Sequence, residues 1–162
     1  MTAKIPTCLN DVNKEWLQEV LKSSNEPIEV IEISPVEEKI GFLSGTNKAK
    51  VKIGSEIKNL FIKSIANPDD PCRALFYDVS LDEVEIKFYK EYLVALIDFT
   101  KEKSKLDVAD ELENMVPKLY SSGYCLEKEN RGFYLIMDDI SSQYSMKTGS
   151  EGTDQITKIT ET

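Results

Sequence analysis

A glutamate inside the apolar arc of a helix, and a lysine inside an apolar strand, constrain this chain more than any other feature. From Asp78 to Phe99 the apolar residues recur every three or four positions, the spacing of an α-helix at about 100° per residue. Leu81, Val84, Phe88, Tyr89, Tyr92, Ala95, Leu96 and Phe99 fall on one arc, with Glu83, Lys87, Lys90 and Glu91 opposite. Glu85 lies within the arc, between Leu81 and Tyr89. Upstream, Leu60-Phe61-Ile62-Lys63-Ser64-Ile65 reads as a strand apolar on both faces. Its two-residue period puts Lys63 on the face of Phe61 and Ile65. A lone buried charge costs several kcal/mol, so each needs an opposite charge. The pattern predicts that Lys63 and Glu85 meet.

Composition sets the frame around that pair. At 162 residues, 41% of them hydrophobic, the chain is long enough for one domain with a real core. A formal charge of −9 argues against nucleic acid or an anionic membrane as partner, since both need clustered Lys and Arg. No apolar run approaches the roughly 20 residues of a membrane span. The opening Met-Thr-Ala-Lys-Ile-Pro-Thr lacks the apolar core of a secretory signal. Cys8, Cys72 and Cys125 are odd in number, widely spaced and form no CxxC. Free thiols in a reducing compartment fit them, so the expectation is cytoplasmic. The chain has no histidine, which removes Ser-His-Asp and Cys-His nucleophile systems and HExxH metal sites.

Along the chain, Asn10 is the expected N-cap of a short leading helix whose face is Trp16, Leu17, Val20 and Leu21. Ile28, Val30 and Ile33 suggest a first strand. Val36 to Leu43 and Thr46 to Ile53 read as two more, joined across Ser44-Gly45, with Ala49, Val51 and Ile53 alternating against Lys48, Lys50 and Lys52. Lys58 to Ile65 follows, then the breaker Asn67-Pro68-Asp69-Asp70-Pro71 and the long helix. Lys101 to Glu113 is a charged connector with some helix. Val116 to Leu126 and Phe133 to Met137 form a hairpin. The expected fold class is α+β, an antiparallel sheet of about five strands with one long packed helix and a leading helix. Residues 1–144 form the domain. Residues 145–162 are expected to be a polar linker and the start of a helix from Thr153, cut at Thr162.

Several of these segments, in this order, carry a resemblance. Gly41-Phe42-Leu43-Ser44 with Lys48-Ala49-Lys50-Val51, then Leu60-Phe61-Ile62-Lys63, then Glu85-Ile86-Lys87-Phe88-Tyr89 come first. Val116-Pro117-Lys118-Leu119-Tyr120 and Leu135-Ile136-Met137-Asp138-Asp139-Ile140 come after. Together they resemble the N-terminal lobe of the ecdysteroid-kinase-like, or CHK-kinase-like, family, relatives of choline kinases and aminoglycoside phosphotransferases. The resemblance implies a protein-kinase-like N-terminal lobe that binds ATP for phosphorylation of a hydroxylated small molecule or ecdysteroid-like substrate.

It also implies roles for particular residues. Gly41 and Ser44 would belong to a phosphate-covering loop. Lys63 would pair with nucleotide phosphates and with Glu85. Met137 and Asp139 would lie in the segment linking two lobes, whose backbone faces the adenine edge. Lys48 stands where the family usually has arginine. The family's catalytic acid and Mg²⁺-binding acids belong to a C-terminal lobe with a His-Gly-Asp loop, which a chain without histidine does not contain. No catalytic or metal-binding residue is therefore expected here, and Mg²⁺ only alongside that lobe. Two alternatives stay open: a non-catalytic, kinase-derived binding or regulatory module, and an unrelated α+β domain in which Lys63 and Glu85 are coincidental.

Overall fold

The leading helix starts where a side chain can close its first turn. Asn13 does so, accepting a hydrogen bond from the Trp16 N–H at 3.0 Å, and helix α1 runs Lys14–Leu21. Asn10, the cap expected from sequence, lies instead in a 3₁₀ turn, Leu9–Asp11. There the Asp11 carboxylate accepts from the Thr7 N–H at 2.8 Å and leaves the capping of α1 to Asn13. Trp16, Leu17, Val20 and Leu21 are buried, as their spacing predicts.

The structure, a computed structural model, describes residues 4–22, 26–36, 44–65, 77–103, 105–127, 131–141, 144–148 and 154–158. It is α+β, built on a five-stranded antiparallel sheet. Strands β1 (Ile28–Pro35), β2 (Ser44–Ile53), β3 (Glu56–Ile65), β4 (Leu119–Cys125) and β5 (Gly132–Asp138) lie in the order β1-β2-β3-β5-β4. The alternation in β2 is as expected, with Ala49 and Val51 buried and Lys50 and Lys52 exposed. One connection differs from the expectation. Ser44 and Gly45 do not turn; they open β2, opposite Ile65 and Ser64. Backbone N–H and C=O groups gain ladder partners by extending the strand to the full length of β3. The expected strand Val36 to Leu43 lies, from residue 37 on, outside the described residues.

The sheet has two covered faces. Ala49, Val51, Leu60, Ile62, Tyr134 and Ile136 pack against α1. Trp16 meets Tyr134 edge-on, with ring centroids 5.1 Å apart. On the opposite face Phe61, Phe133, Leu135 and Met137 pack with Ile86 and Tyr89 of the long helical rod. That rod is α2 (Leu81–Lys87), a π turn (Phe88–Tyr92) in which the Leu93 N–H donates to Phe88 O, and α3 (Leu93–Glu102). The charged connector forms α4 (Leu106–Met115), tied back by Lys101 to Glu113 at 2.6 Å.

The rod's rotation departs from its hydrophobic arc. Leu81, Val84, Phe88, Tyr92, Leu96 and Phe99, expected to be core, are 41–58% exposed. The buried positions are Asp82, Ile86, Leu93 and Thr100, roughly a quarter-turn away at about 100° per residue. Asp82 is the reason. Its carboxylate is fully buried and gripped at both oxygens by Arg131, each contact 3.1 Å, so this face must turn inward.

At the C-terminal end strands stand where a polar loop and a helix were expected. There β6 (Tyr144–Thr148) and β7 (Asp154–Lys158) pair as antiparallel neighbours. The Ile156–Ile159 spacing suits a helix. The β-branched run Ile156-Thr157, with Thr153, Ile159 and Thr160 around it, suits a strand better, because a pleated backbone leaves χ1 free of the preceding turn.

Close approach makes one glycine indispensable. A Cβ on Gly132 would fall on the Pro6 carbonyl oxygen, and backbone gives way less easily than a side-chain tip. Gly132→Ala should lower unfolding free energy by about 2 kcal/mol, measured as a shift in urea midpoint at unchanged slope.

Candidate functional site

The centre of the sheet and the first turns of α2 build the site. Lys63 lies toward the C-terminal end of β3, opposite Thr46 of β2 on one side and Leu135 of β5 on the other. Three strands thus fix its Cα. Its side chain leaves on the face covered by α2, and its ammonium donates to both oxygens of Glu85, at 2.6 Å and 2.8 Å. The two side chains are 25% and 27% exposed. This is partial burial, enough to strengthen the attraction above that of a surface pair while water still reaches the ammonium. An ammonium has three donors and Glu85 engages two. Among the described residues nothing else takes up the third. Tyr89, one helical turn beyond Glu85, has its phenol pushed up first by burial and then by the Glu85 charge.

A second charged group lies on the same face. Lys48 is opposite Phe61, two positions along β2 from the partner of Lys63. Its ammonium contacts Asp139 Oδ2 at 3.0 Å and donates to Ser141 Oγ at 2.6 Å. Asp139 also accepts from the Ser141 N–H at 3.0 Å. Burial pushes the Asp139 carboxyl up, but hydrogen bonds from Ser141 and Lys48 outweigh it and hold it below its ordinary value.

Between these groups runs the end of β5. Met137 is buried, opposite Phe61 and Leu119. The Asp138 N–H donates to Lys118 O at 3.0 Å and the Asp139 N–H to Asn59 O at 2.9 Å. Asp138 also accepts from the Tyr120 hydroxyl at 2.7 Å. With the Ser141 N–H on Asp139, the Ile140 N–H is the one amide from 138 to 141 for which the described residues provide no partner. Sequence reasoning looked to Met137 and Asp139 for backbone donors. The Asp139 N–H belongs to the sheet instead, and its carboxylate belongs to Lys48.

The structure brings Lys63 and Glu85 together and puts Met137 in β5 and Asp139 just past its end. Ser44 contributes its backbone to β2. Gly41 lies outside the described residues. A cavity of about 320 Å³ sits elsewhere, at the β2–β3 turn, lined by Glu26, Gly54, Lys58 and Tyr120, and it does not reach Lys63 or Glu85. Among the described residues no group of three or more His, Cys, Asp or Glu side chains is placed to hold a metal ion, and no helix is long and apolar enough to cross a membrane.

Sequence reasoning missed three residues that hold the site in place: Arg131, Tyr77 and Asp82. Arg131, just before β5, stacks over the Tyr77 ring at 4.3 Å and donates to Tyr77 O at 3.0 Å while gripping Asp82. Tyr77 returns a hydroxyl bond to Arg131 O at 2.9 Å. One signal was available: only two of the chain's 20 basic residues are arginines. An arginine in a lysine-rich chain suggests a forked, planar contact that lysine cannot make.

Comparison with known proteins finds no family model that matches the chain, and no curated protein or solved structure that matches it significantly.

The depressed Asp139 carboxyl carries a pH dependence. A group whose folded value lies below its unfolded one, near 3.9, contributes stability above the unfolded value and loses it as pH falls through the folded one. The stability difference between wild type and Asp139→Asn should therefore be flat above about pH 5 and shrink on acidification below about pH 4. Urea unfolding of both proteins from about pH 3 to about pH 7 checks it.

Proposed function

We propose that this domain is the nucleotide-binding N-terminal lobe of a small-molecule kinase, of the ecdysteroid-kinase-like kind its motifs resemble. ATP is the ligand, and a hydroxylated metabolite or ecdysteroid-like compound is the phosphate acceptor of the complete enzyme. The observation that carries this reading is the Lys63–Glu85 pair, a strand ammonium held by a helix carboxylate with one donor left over. Phosphoryl-transfer enzymes of this build use such a lysine to fix the α- and β-phosphates. The glutamate prevents the ammonium from wandering.

The remaining parts fit the same reading. Lys48 and Asp139 tie β2 to the end of β5, which would hold the sheet and the linking segment in one arrangement around a base. The adenine edge would bond to backbone at the end of β5, with the Ile140 N–H as donor. The apolar floor would come from Phe61 and Met137. Mg²⁺ would arrive with the nucleotide and be held by acids of a catalytic lobe, which also supplies the base for the substrate hydroxyl. These 162 residues would bind nucleotide and transfer no phosphate by themselves. A non-catalytic binding module built on the same lobe is the second reading. The pairing of Lys63 with both oxygens of Glu85 favours the nucleotide role, because a purely docking lobe gains nothing from a half-exposed ammonium.

Calorimetric titration with ATP, with and without Mg²⁺, tests the proposal. Wild type should bind. Lys63→Met should weaken binding at least about tenfold, or roughly 1.4 kcal/mol, and Glu85→Gln somewhat less. Equal affinity in wild type and Lys63→Met would discard the nucleotide reading.

A further inference from the structure

The exposed side of the helical rod carries an apolar stripe whose spacing reads the same from either end. Leu81, Val84, Phe88, Tyr92, Leu96 and Phe99 are all exposed, and they belong to neither buried cluster. From Leu81 to Phe99 the steps are three, four, four, four and three residues. The π turn Phe88–Tyr92 sits at the centre. It is wider than an α turn, so the four-residue step across it closes nearly a full turn and keeps the stripe straight. Six such side chains, about half exposed, leave on the order of 600 Å² of apolar surface. That is the upper end of what a lone domain shows, and most of the roughly 800 Å² per partner in a standard interface.

A palindromic stripe matches an antiparallel copy of itself. With a two-fold axis at the level of Lys90, Leu81 of one copy lies opposite Phe99 of the other, Val84 opposite Leu96, and Phe88 opposite Tyr92. We propose that this face is a homodimer interface, occupied by the rod of a second copy running antiparallel. Charge fits that direction. Lys87, held by Glu83 at 2.7 Å, and the exposed Glu91 flank the stripe along one edge. Antiparallel pairing sets Lys87 beside Glu91 of the other copy, twice by symmetry. A parallel pair would instead set Lys87 by Lys87 and Glu91 by Glu91, and would align the two helix macrodipoles. The interface does not rest on the nucleotide role.

Sedimentation equilibrium of the 162-residue chain tests the proposal. Wild type should be dimeric at about 100 μM, with a micromolar or tighter dissociation constant. Phe88→Asp puts a carboxylate at the centre of the stripe. It should raise that constant at least about thirtyfold while leaving the far-ultraviolet circular dichroism unchanged. Direction is read from charge. Lys87→Glu and Glu91→Lys each turn two attractions into two repulsions, so each alone should weaken the dimer about tenfold. A mixed pair of these two variants regains both attractions. Their equimolar mixture should therefore return to within about threefold of wild type. A wild type that is monomeric or of higher order at about 100 μM, or a dimer that folded Phe88→Asp leaves intact, overturns the proposal. So do single charge variants as tight as wild type, or a mixture no tighter than its components. Should Phe88→Asp not fold, the charge variants decide alone, since both alter solvent-accessible positions.

Discussion

Half-buried charge of opposite sign, Lys63 on the sheet and Glu85 on the helix, is the contact that gives the rest of the molecule its meaning. Each group alone would be costly at this degree of burial. Together they fasten α2 to the C-terminal part of β3, where β2 and β5 already fix the backbone through their ladders. The contact is directional, with one ammonium between two carboxylate oxygens, so it specifies where α2 lies along the sheet. Apolar packing from Ile86 and Tyr89 onto Phe61 and Leu135 supplies the attraction without that specificity.

The same face shows how a site is assembled from backbone hydrogen bonds as much as from side chains. At the end of β5 the amides of Asp138 and Asp139 are taken up by neighbouring carbonyls, and Asp139 turns its carboxylate to Lys48. That leaves the Ile140 N–H as the amide of this stretch to which the described residues give no partner. The other face is filled by α1, with Trp16 against Tyr134, and its apolar packing keeps the strands in register.

Much of this was legible in the sequence because charge in an apolar pattern is a strong local signal. Lys63 broke a strand that was otherwise apolar, Glu85 broke a helix arc, and each implied the other. The alternation of Ala49, Val51 and Ile53 against lysines marked β2. The face Trp16, Leu17, Val20, Leu21 marked α1, though Asn13 and not Asn10 caps it. The tail read as loop and helix, and folds as paired strands, because two isoleucines three apart weigh less than a run of β-branched residues.

The chain's own pattern determined that a lysine and a glutamate would need each other, that the class would be α+β, and roughly where most of the strands would run. Those properties follow from periods of about 2.0 and 3.6 residues and from the cost of lone charges, all of which are local. Which way the long helix faces was decided elsewhere. Asp82 and Arg131 are separated by 49 residues, and no periodicity links residues that far apart. Only after β5 is laid beside β3 does the guanidinium stand where the carboxylate can reach it. An inward-facing acid then outweighs an apolar arc that, read alone, points the other way.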